Sequence, residues 1–412
     1  MSETDLLLFD NTPGGNGPQA QGGLAPQSVG AQRPPPATRA SAAQNLSITR
    51  LEIWHVPLTS HVAYHMADGK TCDTVETVVI AVTTDAGITG WGEVCPIPHY
   101  LPAYARGVAP ALTELAPVLI GADPVGPEAL MAKANAWLPD HRYAKSALDI
   151  ALWDITGQVA GLPLYALLGG RQARDMPLYH SITCIEPDEM ARIAHEAQAT
   201  GITQFQVKLG ASGDWQTDVE RLIKVREAVG PGPIVYGDWN CGSTSLEASR
   251  VGRAVAHLDI MLEQPCPTME DCARVRAATG LPMKLDEIAH DTASLLQAHA
   301  LGIMDAVALK LSKFGGLSAT RTARDLCLHL GAKMCVEDTW GSDITTAALL
   351  HLAASTPPAR ILNTCDLSGY VAPRIAPDAP VRHDGRIAPP EGPGLGITPD
   401  RALLGAPDLI LE

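Results

Sequence analysis

Five charged residues stand at near-equal intervals in the middle of the chain, each closing a short hydrophobic run: Lys208, Asp238, Glu263, Asp286 and Lys310, in steps of 30, 25, 23 and 24 residues. Three carboxylates brought together repel one another and are driven to protonate unless a cation neutralises them. Oxygen-only ligands on rigid elements, with coordination positions left open, suit Mg²⁺ better than Ca²⁺ or Zn²⁺. Asp238, Glu263 and Asp286 are therefore read as a metal trio. A lysine beside another cation and out of water loses its proton more readily, which makes it a general base near neutral pH. Lys208 precedes the trio and Lys310 follows it, so the two amines would flank a metal-bound ligand. The chemistry this suits is proton abstraction beside a carboxylate, with the metal holding the charge that develops. Taken singly, each acid reads as a surface acid at a loop start and Lys208 as half of a salt bridge. Lys313 is read as a solvated loop lysine. A Schiff-base aldolase would use one desolvated lysine and would have no need of three acids at this spacing.

The elements that must position these residues follow from the spacing. Each step has the length of a strand, a loop, a helix and a return loop. Eight strand ends are expected near His180, Lys208, Asp238, Glu263, Asp286, Lys310, Glu337 and Asn363, with helices between them, for example 215–229 and 318–330. Eight is the number that closes a parallel barrel, whose active site sits at the carboxyl ends of its strands. The fold class is thus α/β, a TIM-like barrel over 143–366, led by a helix over 144–159. Before it, residues 46–142 read as a small α+β domain. Its strands are expected at 47–56, 76–84 and 88–93, with a turn at Asp85-Ala86-Gly87 and helices between Tyr100 and Leu138. A polar loop from His61 to Asp73, carrying Tyr64, His65 and Gly69, would cover the barrel mouth. His65 and His99 are read as surface histidines. The Pro- and Gly-rich segment 367–412 is expected to pack back on the first domain, and 1–45 reads as a disordered tail.

Composition narrows the class. A chain of 412 residues is long for one domain, and a hydrophobic content of 46% is ample for a packed core. The net charge of −15 argues against nucleic acid as a partner. The nine cysteines are odd in number and form no CxxC pair, so they read as reduced thiols in a cytosolic protein. No apolar run has the length of a membrane span, and the acidic start lacks the features of a secretory signal.

Several motifs together resemble the enolase superfamily, in the branch of mandelate racemase and muconate lactonizing enzymes. They are Gly90-Trp91-Gly92-Glu93, the segment 144–154, Leu168-Gly169-Gly170, the pair Asp238 and Asn240, Glu263-Gln264-Pro265, Asp286-Glu287, and the run from Lys310 to Gly316. The resemblance implies a (β/α)₇β barrel with an α+β cap, Mg²⁺ on Asp238, Glu263 and Asp286, and Lys208 with Lys310 as the acid/base pair. Gln206-Val207-Lys208 departs from the KxK of many relatives. It is similar to a narrower group acting on hydroxyproline and proline betaines, as is the stretch from Val336 to Ile344. Within that group the chain looks closer to the cis-3-hydroxy-L-proline dehydratases than to the 4-hydroxyproline betaine 2-epimerases. Tyr64, Gln206, Asp338 and Trp340 are the expected substrate contacts, with a cationic ring nitrogen meeting Asp338 and an aromatic face. The chain is expected to act in the cytoplasm as a homo-oligomer on a small cyclic amino acid or betaine, without nucleic acid or membrane.

Overall fold

The computed structural model describes residues 46–98, 102–211 and 213–412, apart from the side chain of Asp68. The tail before residue 46 and His99 lie outside these residues. The first sheet is an antiparallel meander of β1 (Ile48–His65), β2 (Thr71–Thr84) and β3 (Thr89–Val94). The sequence predicts a loop from His61 to Asp73. Instead β1 runs on to His65 and pairs with β2 again at Tyr64–Cys72 and His65–Thr71, past a register shift after Thr59. The bulge hides the alternation, because it moves residues across the faces of the strand. Tyr64 is thus a buried strand residue, while His65 is exposed as expected.

Helices α1 (Val108–Leu119) and α2 (Pro127–Trp137) follow, and then α3 (Arg142–Ala160). The glycines of the Gly90-Trp91-Gly92 motif have a steric reason. A Cβ on Gly92 would lie 1.9 Å from the carbonyl oxygen of Ala147, and one on Gly90 2.2 Å from that of Ala151. The backbone of α3 therefore rests directly on β3. Asp154 secures the contact by accepting the Trp91 N–H at 2.9 Å and, with its other oxygen, the Leu395 N–H at 2.8 Å.

Eight parallel strands come next, in chain order: β4 (His180–Ile182), β5 (Gln204–Lys208), β6 (Ile234–Asp238), β7 (Ile260–Glu263), β8 (Met283–Leu285), β9 (Ala306–Lys310), β10 (Lys333–Glu337) and β11 (Ile361–Thr364). A parallel bridge between Leu178 and Thr364 joins the first to the last. This is the TIM-like barrel the spacing predicts. Its first strand begins at His180 rather than ending there. The intervening helices start where their caps dictate: Asp214, Thr244, Thr268 and Asp291 each accept a first-turn backbone N–H. The chain then returns to the first sheet, where β12 (Val371–Ala372) and β13 (Leu409–Leu411) pair antiparallel with β1. All nine cysteines are free thiols, and no helix among the described residues is long and apolar enough to cross a membrane.

Glu93, at the end of β3, ties the cap to the barrel. Its carboxylate accepts the N–H groups of Ser342 and Thr345 and the hydroxyls of Thr77 and Thr345, all at 2.8–2.9 Å. It thereby caps the helix (Asp343–Ala354) that follows β10. Glu93→Ala leaves three buried donors without an acceptor, the Ser342 N–H and the Thr345 N–H and hydroxyl, while the Thr77 hydroxyl keeps the Val94 carbonyl at 3.2 Å. The expected result is a loss of about 3 kcal/mol or more in urea-unfolding free energy, at unchanged secondary structure by circular dichroism. A loss under 1 kcal/mol would show that Glu93 is not the tie.

Candidate active site

Strand register sets the charged residues on one rim. Lys208 is level with Asp238, Asp238 with Glu263, and Lys310 with Glu337. Each of the five predicted residues is buried. Lys208 Nζ lies 2.5 Å from Asp238 Oδ2 and 3.1 Å from the amide oxygen of Asn240. Lys310 Nζ lies 2.6 Å from Asp286 Oδ2. Among the described residues, Glu263, Asp286 and Glu337 form a group of three carboxylates that offer oxygens within 4.8 Å of one another. Asp238 stands next to them on the rim, with Oδ1 accepting the Asn240 N–H at 2.9 Å and Oδ2 facing Lys208.

Backbone strain is concentrated here. Asn240, Cys241 and Gln264 have φ of 45°, 66° and 34°. The turn at Gln264 sends its side chain back to accept the Asp286 N–H at 2.8 Å. The turn at Asn240 places its amide between Asp238 (3.0 Å) and Glu287 (3.2 Å). The amides of the two motifs thus hold the acids rather than face a ligand.

The electrostatics fit a dication. Burial pushes the Glu263 carboxyl up to about 8; the Lys284 ammonium opposes this, and the carboxylates of Asp238, Glu337 and Asp286 add to it. Crowded acids of this kind, offering oxygen only, match what Mg²⁺ binds. The sign for stability follows. An acid whose folded pKa is raised from 4.5 to about 8 holds a proton that the unfolded chain has lost, so stability falls as pH rises between those values. Without metal, the unfolding temperature is expected to fall from pH 5 to pH 8. Mg²⁺ must displace that proton, so its apparent affinity should rise by up to about tenfold per pH unit below pH 8. Calorimetric titration at pH 6, 7 and 8 measures this, and a flat profile would contradict it.

The structure corrects the reading of Lys313 and adds the surroundings of the two lysines and of Asp338. The lysines are not made less basic by the protein's own groups. Burial lowers both, but Asp238 and Glu263 outweigh it at Lys208, and Asp286, Glu337 and Glu287 outweigh it at Lys310, so both are raised. Lys313 is not a solvated loop residue. It is buried, with Nζ at 2.9 Å from Asp286 Oδ1 and 2.6 Å from the Asp286 carbonyl oxygen. Burial would raise the Asp286 carboxyl, but Lys310 and Lys313 hold it well below the usual carboxylate range. Asp338 faces the cavity with its carboxylate already engaged: it accepts the Ser312 N–H at 2.9 Å, the Thr339 N–H at 2.7 Å and the Ser312 hydroxyl.

Tyr64, Gln206, Asp338 and Trp340 line the same cavity as Lys208 and Lys310. The hydrogen bonds of Gln206 go to Ser181 and Glu263: it accepts from the Ser181 hydroxyl at 2.8 Å and donates to Glu263 Oε2 at 2.8 Å. The rings of Tyr64 and Trp340 meet edge-on at 5.1 Å between centroids. Tyr370, which the sequence reading missed, completes the group at 5.9 Å from Tyr64 and 6.3 Å from Trp340. Glu337 was also passed over, although it is an acid at a strand end, the same signal that singled out the trio. Tyr370 gave no such signal, because it sits in a loop beyond the last barrel strand.

Comparison with known proteins agrees with this geometry. Residues 48–169 match the family described as "Mandelate racemase / muconate lactonizing enzyme, N-terminal domain", and residues 189–403 match "Enolase C-terminal domain-like". The chain is 40% identical to a cis-3-hydroxy-L-proline dehydratase of Roseibium aggregatum, over 88% of this chain and 99% of that one. It is 28% identical to an N-succinyl-L-Arg/Lys racemase of Bacillus cereus, over 79% and 88%. Among solved structures, an enolase-superfamily member from Roseovarius nubinhibens ISM complexed with magnesium superposes with a TM-score of 0.84 at 36% identity, covering 89% of this chain and 99% of that one. With both family matches falling on the cap and barrel just described, the chain belongs to the enolase superfamily, in its mandelate racemase/muconate lactonizing enzyme branch.

Proposed function

We propose that this chain removes the α-proton of a cyclic amino-acid carboxylate and expels its 3-hydroxyl as water, with cis-3-hydroxy-L-proline as the substrate. The observation that carries the reading is a single cavity lined by two lysines, Lys208 and Lys310, and by the rings of Tyr64, Trp340 and Tyr370. The 40% identity to a dehydratase of that substrate supports it. Asp238, Glu263 and Asp286 would hold Mg²⁺, with Glu337 beside them. When bound, the ion supplies the positive charge that an enediolate needs.

The rest is done by the chain's own groups. One lysine amine takes the Cα proton. The C–O bond at the neighbouring carbon breaks, and the hydroxyl leaves as water after receiving a proton. The resulting enamine tautomerises to a cyclic imine acid. The ring faces of Tyr64, Trp340 and Tyr370 receive the cationic nitrogen, a contact worth about 0.5–2 kcal/mol. Asp338 adds a negative field from behind its hydrogen bonds. Two lysines on one cavity also favour a second reading, 2-epimerisation of 4-hydroxyproline betaine or proline betaine, where the second amine returns the proton to the opposite face. The presence of a leaving hydroxyl at the β-carbon decides between them. We place this activity in a cytoplasmic homo-oligomer.

The test is incubation in D₂O with Mg²⁺, using cis-3-hydroxy-L-proline, 4-hydroxyproline betaine and proline betaine separately. Loss of water from the first is the expected result. Deuteration with inversion of a betaine and no dehydration would favour the epimerase. If none of the three exchanges its α-proton or loses water, both substrate assignments fail.

A further inference from the structure

One buried charge is not used by the chemistry above. Lys284 lies on β8, two residues before Asp286, so it points to the same side of the strand one layer deeper in the barrel. It is fully buried and does not line the substrate cavity. Its Nζ lies 2.8 Å from Glu263 Oε1 and 3.4 Å from Glu337 Oε1. The rings of Tyr236 and Tyr179 stand 4.9 and 5.6 Å from it. The opposite oxygens of the two acids are held as well: Gln206 donates to Glu263 Oε2 at 2.8 Å, and the Tyr179 hydroxyl donates to Glu337 Oε2 at 2.5 Å.

We propose that Lys284 acts as a fixed internal cation beneath the metal seat: its charge, set against Glu263 and Glu337, limits how tightly the seat grips a dication. The inference rests on the magnesium reading. The physical case is one of charge. Among the described ion pairs of the rim, the carboxylates of Asp238, Glu263, Asp286 and Glu337 face the ammoniums of Lys208, Lys284, Lys310 and Lys313. In that reading Lys208 and Lys310 carry protons that change hands during turnover, and Lys313 pairs with Asp286, which it shares with Lys310. Lys284 is the cation on the Glu263 side that has no access to substrate. Its charge opposes an incoming dication at close range inside a low-dielectric barrel, where one unit charge changes an affinity by about tenfold or more.

The experiment uses the full-length chain stripped of metal. Mg²⁺ binding is measured by calorimetry for the wild type and for Lys284→Met, which keeps the length and removes the charge. The metal-free unfolding temperature is recorded alongside. Lys284→Met is expected to bind Mg²⁺ about tenfold more tightly or better, and to unfold at a lower temperature without metal. A packing role alone would lower the unfolding temperature and leave Mg²⁺ affinity unchanged or weaker, and that result overturns the proposal. If Lys284→Met does not fold without metal, adding Mg²⁺ should restore folding, since the ion replaces the missing charge. A variant that stays unfolded with Mg²⁺ also overturns it. The wild-type titration separates the two readings. A wild type that binds no Mg²⁺ removes the metal reading and this inference together, whereas equal binding by both proteins removes only the role of Lys284.

Discussion

Lys208→Ala and Lys310→Ala are each expected to lower turnover by about 10²–10⁴-fold, with the fold retained. Both ammoniums reach the cavity lined by Tyr64 and Trp340, and each is bound by a carboxylate of the rim, Asp238 for one and Asp286 for the other. Those carboxylates raise the lysines, so the resting amines are protonated. The acid that a lysine leans on is also a candidate metal ligand. Ligation would draw the carboxylate's charge away and leave the amine freer to act as a base. The two variants should not behave alike. The one that lacks the base loses both dehydration and α-proton exchange in D₂O. The other retains exchange while losing product. Measuring both rates for each variant assigns the roles. If either variant keeps turnover within fivefold of wild type, that lysine is not part of the chemistry.

Asp286→Asn should carry the largest cost to stability. The carboxylate meets Lys310 Nζ at 2.6 Å and Lys313 Nζ at 2.9 Å, and those lysine side chains are only 6% and 3% exposed. Replacing the acid by an amide of the same shape leaves two buried ammoniums short of a counter-charge. Breaking a buried pair in this way costs about 3–5 kcal/mol. Two responses are open to the protein: to unfold at lower urea, or to shed a proton from one lysine, which would show as a stability that improves at high pH. Mg²⁺ binding should be lost as well, because a ligand is gone. A variant within 1 kcal/mol of wild type that still binds Mg²⁺ would show that Asp286 is neither a keystone of the rim nor a ligand.

Prediction and structure agree most closely where the fold repeats. Lys208, Asp238, Glu263 and Lys310 each close a barrel strand, as the spacing alone requires, because a βα unit has a nearly constant length and its strand ends all face one way. The helix over 215–229 was likewise legible, whereas the closeness of β3 to α3, for which Gly90 and Gly92 leave room, was seen only in the structure. The sequence thus determined a barrel with a cap, a rim of acids between two lysines, and the family to which these belong. Tertiary structure decided the partners. Which acids lie within reach of one another depends on how register and barrel curvature bring strands together, and that brought Glu337 to Glu263 and Asp286 while Asp238 faced Lys208. Burial decided Lys313, which looks like any loop lysine in sequence but lies under Asp286. Tyr64 and Tyr370 are 306 residues apart in sequence and 5.9 Å apart as rings. No local pattern records such a meeting, because it is made by β1, a bulge in it, and a loop after the last barrel strand. The basicity of the lysines followed the same rule: residue type set what they can do, and the charges packed around them set which way they lean.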